Sequence, residues 1–318
     1  MDNTPIPTSR FERLAPELRN RIYELVLGSQ VLHVGLLVEF APNDVVRYGP
    51  SQNTRIYDPT ESKEMQGLLR YHDPTICKLS VCQAKVTDQE AADEREVQIE
   101  TLAGKGLAFN FMQDATPELA YVDCTRRHKV CRRNIRLGTQ PIDLSLLFVC
   151  KTTYHEAALL PFTLNTFTFG HPHTLHAFLS KLSEPQRSAI NQMLFYSPSR
   201  RGGFRPPLLP SMSQLIPIGC HLTLHFEFST YEVYRRTSTL YGPGACLAEG
   251  LGQLSTCSLA TLRVDLVDLS IGEKIGGERH PAFMARVMAK RPSPRLETWA
   301  NEIKSFLGMD ESNQGASS

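Results

Sequence analysis

The sequence predicts an α+β protein, on three observations. Apolar residues recur at helical spacing over Leu18–Val26, the period then switches to strict alternation over Leu32–Phe40, and the same two periods interleave again after residue 144. Together they predict a single domain over residues 1–309 with an irregular insertion at about 60–140, followed by a polar, disordered tail at 310–318. The sheet is expected to be mixed and mainly antiparallel, because the first strands follow one another closely.

The first helix runs from about Pro16 to Leu27. Proline fits the first helical position, where no amide donor is needed, and Glu17 sits near the positive end of the helix dipole. Leu18, Ile22, Leu25 and Val26 form the expected apolar face, Arg19, Asn20, Arg21 and Glu24 cover the other, and Gly28 stops the helix. Leu32, Val34, Leu36, Val38 and Phe40 then make a strand with one buried face, with further strands at Val45–Tyr48 and Thr54–Tyr57. Within the insertion lie an acidic segment at 88–96 and a basic run at Arg126–Arg136, read as solvated faces. Regularity returns with an apolar helix over 144–158 that ends before Pro161. A strand to Phe169, two short helices at Thr174–Leu182 and Glu184–Gln192, and a short strand at Met193–Tyr196 follow. After a Gly/Pro-rich loop at 199–207, two strands near 222–228 and 262–267 and a last helix from Arg295 to Leu307 complete the chain.

Composition narrows the function classes. A net charge of +1 gives no global field toward nucleic acid or membrane, and no apolar run reaches the length needed to cross a bilayer. The polar start Met1–Pro5 is unlike a secretion signal, and no Asn-x-Ser/Thr acceptor occurs. Eight cysteines in 318 residues are too few for a disulfide framework. The expectation is therefore a soluble intracellular protein, cytoplasmic or nuclear, with Cys150 and Cys220 as small buried hydrophobes.

Two segments carry a family resemblance. Phe11-Glu-Arg-Leu-Ala-Pro-Glu-Leu-Arg-Asn-Arg-Ile-Tyr-Glu-Leu-Val-Leu27 resembles the opening helix of fungal F-box-like proteins. Leu146-Leu-Phe-Val-Cys-Lys-Thr-Thr-Tyr-His-Glu-Ala157, followed by Asn165-Thr-Phe-Thr-Phe169, resembles the second signature of the same group of uncharacterised filamentous-fungal proteins. That group is related to one named for two Glu-x-Arg motifs. Glu17-Leu18-Arg19 matches the first motif, while Thr153–Glu156 stands where the second would fall and does not match it. The resemblance covers about 11–40 and 144–270 and implies no catalytic residue and no cofactor. It implies a protein partner, the adaptor subunit of a ubiquitin ligase among the candidates, met by an F-box-like surface with Leu14, Pro16, Leu18, Ile22 and Tyr23 as candidate contacts. A genuine F-box adds two more helices at once, whereas here the chain turns to strand after Gly28. The two signature helices are expected to pack together, Leu18, Ile22 and Leu25 against Leu147, Cys150 and Tyr154.

The residues that could carry chemistry are few. Cys77-x4-Cys82 and Cys124-x6-Cys131 could offer four thiolates to zinc, with His128 as an alternative ligand; the second spacing is poor, so free thiols are expected and no metal is assigned. His171-x-His173-x-x-His176 has no carboxylate beside it, and His155-Glu156 is followed by Leu159 where a zinc-protease helix needs histidine. There is no nucleophile elbow, phosphate loop or dinucleotide fingerprint. The expected function is a non-enzymatic protein-interaction module without cofactor. The alternative is a zinc-dependent or nucleic-acid-binding protein using the Cys-rich, basic insertion.

Overall fold

The structure, a computed structural model, describes residues 10–39, 54–56, 76–84, 128, 130–131, 142–170, 172–197, 210–228, 251–268 and 296–307. The expected strand at Val45–Tyr48, the acidic segment, most of the basic run, the 199–207 loop and the tail lie outside these residues.

Helix α1 (Pro16–Leu27) forms with proline in its first turn and Gly28 as its C-cap. Gly28 is extended (φ −120°), and the left-handed residue is Ser29 (φ 58°). Glycine at 28 answers to space instead: a Cβ there would come within 2.8 Å of Leu164 Cβ and 3.0 Å of Glu24 O. The buried stripe of α1 also differs from the expected one. Tyr23 and Leu27 are fully buried, whereas Leu18 and Leu25 are 55% and 67% exposed. The helix is turned by about 100°, one residue's step, relative to the aliphatic reading. This setting places Arg19 and Tyr23 against Glu156, an ionic and hydrogen-bonded anchor that an aliphatic stripe lacks.

The expected helix over 144–158 is two pieces, a 3-10 turn at Ser145–Phe148 and helix α2 (Lys151–Ala157). Cys150 breaks them apart: it is fully extended and its sulfur accepts the Thr153 amide as the N-cap of α2. Leu147 and Ala157 join Tyr23 and Leu27 in a small core, while Cys150 is half-buried and Tyr154 is exposed. Helix α3 (Leu160–Thr163) packs beside α1.

A seven-stranded sheet is found among the described residues: β1 (Val31–Glu39), β2 (Thr54–Ile56), β3 (Ile76–Val81), β4 (Thr166–Phe169), β5 (Gln192–Ser197), β6 (His221–Phe228) and β7 (Thr261–Asp268). The class is α+β, but the sheet is mainly parallel, which corrects the expectation of a mainly antiparallel one. β1–β4, β4–β5, β5–β6 and β6–β7 run parallel, and only β2 and β3 lie antiparallel to β1. The reason is the connections. β4, β5 and β6 each pair parallel with the strand that comes next in the chain, so the chain crosses back between them, as with α4 (Pro172–Lys181) and α5 (Glu184–Ser188) between β4 and β5, and the next strand starts again at the same end.

One sheet face carries the main core. Leu32 and Val34, Phe167 and Phe169, Met193 and Phe195, Leu222, Leu224 and Phe226 project to it, with Cys77, Leu79 and Val81 of β3 packed alongside. Phe178 of α4 lies over this face, its ring centroid 5.2 Å from Phe167 and 5.7 Å from Phe169. The C-terminal helix α6 (Leu296–Phe306) adds Trp299, Ile303 and the following Leu307 at four-residue spacing, as its periodicity predicts. Cys220 is buried in the same core, as expected.

Candidate functional site

Two features of the molecule carry functional weight. The first follows from strand alternation. Because Leu32 and Val34 face the main core, His33 between them faces the opposite side of the sheet. The register sets Ser80 of β3 and Thr168 of β4 directly beside it. Cys82 continues β3 by one residue, its amide donating to Val31 O at 2.7 Å, and so falls on the same side as Ser80 and diagonal to His33. Cys77 is an odd number of residues away and faces the core instead.

A turn that includes residues 128, 130 and 131 lies over this spot. His128 and Cys131, three apart, share one side of the turn, and Val130 between them is exposed. The donor atoms of His33, Cys82, His128 and Cys131 all lie within 4.8 Å of one another. His128 Nδ1 is 3.6 Å from Cys82 Sγ and 3.8 Å from Cys131 Sγ, and the two imidazole rings are 4.5 Å apart between centroids. His33, His128 and Cys131 are buried, and Cys82 is partly so. Backbone amides reach both sulfurs, Gln83 N to Cys131 Sγ at 3.3 Å and Ala84 N to Cys82 Sγ at 3.4 Å.

The electrostatics follow from this crowding. A hydrogen bond from Cys82 holds the Cys131 thiol far below its ordinary 9.0, against the effect of burial, and the imidazoles of His128 and His33 act in the same direction. The same shared proton, followed by burial, pushes Cys82 above 9.0. The two thiols are thus pushed in opposite directions by the one hydrogen bond between them. A cation among the four donors favours the thiolate form of both.

The four cysteines weighed as candidate zinc ligands are thus redistributed. Cys82 and Cys131 meet, Cys77 faces away, and Cys124 lies outside the described residues. His128, weighed as an alternative ligand, joins the group, and His33 is the residue that sequence reasoning missed. Its signal is a lone histidine inside an apolar strand, the commonest guise of a satisfied core residue. Of the other histidine cluster, His176 is half-buried on α4 and His171 lies outside the described residues.

The second feature is the outward side of α1 and its neighbours. Of the candidate partner contacts, Pro16 and Leu18 are exposed, Leu14 and Ile22 half-buried, and Tyr23 fully buried in the small core. Leu18, Leu25, Phe148, Val149, Tyr154 and Leu159 are all large apolar residues standing in solvent, Phe148 at 81% exposure. No helix among the described residues is long and apolar enough to cross a membrane.

Comparison with protein-family models, with curated proteins and with solved structures finds no match.

Proposed function

We propose that the chain is a non-enzymatic protein-interaction module of the F-box-like kind, meeting its partner through α1 and the 145–159 segment. The observation that supports this reading is the exposure of Leu18, Leu25, Phe148, Val149 and Tyr154 on elements tied together by a buried core. Scattered exposed leucines are ordinary, but several large apolar side chains on two neighbouring elements are the composition of a binding face. The experiment is capture of the intact chain by the purified adaptor subunit of a ubiquitin ligase, with Leu25→Asp and Phe148→Asp as variants. Capture by the wild type that both variants abolish supports the adaptor role. Absence of capture by folded wild type, or capture indifferent to both substitutions, removes it.

A further inference from the structure

We propose that His33, Cys82, His128 and Cys131 bind one zinc ion as a closed structural site that pins the 128–131 turn to the sheet. This goes beyond the interaction reading and stands on different residues.

Geometry carries the argument. A tetrahedral ion with Zn–S of about 2.3 Å and Zn–N of about 2.0 Å holds a sulfur and a nitrogen about 3.5 Å apart. Of the four sulfur-to-nitrogen edges here, the two from His128 Nδ1 are 3.6 and 3.8 Å, and no two donor atoms are more than 4.8 Å apart. The four donors come from three separated parts of the chain: β1, the end of β3, and a turn 46 residues further on. Gathering two imidazoles and two thiols out of water is costly unless they bind something together.

The surroundings fit the same chemistry. The two amides on the sulfurs are donors that a thiolate accepts. Thr168 Oγ1 lies 2.7 Å from His33 Nδ1 and also reaches Leu32 O at 3.4 Å. The hydroxyl has one proton; when it is given to Leu32 O, Nδ1–H of His33 donates to Thr168, which leaves the Nε2 lone pair for a metal. An imidazole oriented through its second nitrogen is the usual partner arrangement of a metal-bound histidine.

The donor set and its geometry select the ion. Two thiolates and two imidazoles suit zinc, whereas calcium and magnesium take oxygen ligands; the iron–sulfur cluster with the same donors holds its imidazoles on one iron and its thiolates on the other, which does not set one imidazole nitrogen 3.6 and 3.8 Å from the two sulfurs. Four protein donors fill a tetrahedron and leave no position for water, so the site is structural and not catalytic.

The test uses the intact chain purified at neutral pH without chelator. Elemental analysis is expected to find about one zinc per chain. Thr168→Val, which removes only the hydroxyl, is expected to weaken zinc binding by roughly ten- to a hundred-fold. His33→Ala and Cys131→Ser are expected to lose the metal, and Cys150→Ser, which keeps a good helix cap, to retain it. Should the ligand variants fail to fold, the wild type still decides. Cobalt exchanged into it is expected to show the visible bands of a tetrahedral ion and sulfur-to-metal charge transfer, and a strong chelator to lower its melting temperature. Folded wild type that neither holds nor takes up zinc or cobalt overturns the proposal. So does a Cys82–Cys131 disulfide in the freshly purified chain, or full zinc content in both ligand variants.

Discussion

Tyr23 and Glu156, 133 residues apart in sequence, meet in a 2.8 Å hydrogen bond in which the tyrosine hydroxyl donates to Oε2. Arg19, one turn earlier on α1, grips the same carboxylate with Nε at 3.0 Å and a second nitrogen at 2.6 Å, and also reaches Leu14 O at 2.8 Å. This three-residue contact joins the two segments that resemble the F-box-like signatures and fixes how α1 is turned. Removing the tyrosine hydroxyl in Tyr23→Phe is expected to cost about 1.5 kcal/mol, the lower range for a bond to a charged group, since Glu156 keeps Arg19. Tyr23→Ala, which also empties the small core, is expected to cost about 3–5 kcal/mol in urea unfolding.

The pH dependence of that contact has a definite sign. The hydrogen bond from Arg19, then that from Tyr23, holds the Glu156 carboxyl below its ordinary 4.5. The contact therefore stabilises the fold fully above that value, and the contribution is lost as pH falls through the lower folded value. Glu156→Gln is expected to be less stable than wild type near neutrality and to lose less of its remaining stability from about pH 5 downward. Urea midpoints measured across that range check it; parallel curves for the two proteins would show that Glu156 is not ionically held.

Rotation of α1 makes a second distinction measurable. Leu27 is fully buried and Leu25 is 67% exposed. Leu27→Ala is expected to cost about 2–5 kcal/mol, and Leu25→Ala under about 0.5 kcal/mol. Equal costs in denaturant unfolding would return the helix to the aliphatic setting, with Leu18 and Leu25 inward.

Asn165 gives the asparagine of the second signature a physical role. Its side-chain amide donates to Leu27 O and Pro161 O, and its oxygen accepts from Gln30 N at 2.9 Å, so one buried side chain at the start of β4 joins the end of α1, α3 and the residue that leads into β1. Asn165→Asp exchanges the donor for an oxygen facing two carbonyls, and Asn165→Leu leaves three backbone groups without this partner. Each variant is expected to lose at least about 2–3 kcal/mol, because an unsatisfied buried group costs about 1–3 kcal/mol. Calorimetry of both variants checks this, and wild-type stability in either would contradict it.

Much of the framework was legible in the sequence. The switch from helical period to alternation at residue 28 and the strands near 222–228 and 262–267 have their expected forms, and of the apolar side expected for the last helix, Leu296, Trp299, Ile303, Phe306 and Leu307, the residues Trp299, Ile303 and Leu307 are buried while Phe306 is exposed. The sense of the sheet was not legible, because alternation shows which face of a strand is buried and not which neighbour it pairs with. The break at Cys150 was hidden because an extended N-cap sulfur leaves the apolar pattern on both sides of it intact. β3 corrects the expectation of an irregular stretch at 60–140: Cys77, Leu79 and Val81 alternate there with Lys78, Ser80 and Cys82. Reading that alternation would have put Cys77 and Cys82 on opposite faces and ruled out their acting as a pair. Nothing in the spacing of residues 33, 82, 128 and 131 shows that they meet, since that depends on how β1, β3 and the distant turn are brought together.

X-ray absorption at the zinc edge of the metal-loaded chain tests the tetrad most directly, because it reads the ligands themselves. The expected first shell is two sulfurs at about 2.3 Å and two nitrogens at about 2.0 Å, with the outer-shell scattering of imidazole rings. A shell of three or four sulfurs, which would bring in Cys77 or Cys124, or one of oxygens alone, would contradict the assignment of His33, Cys82, His128 and Cys131.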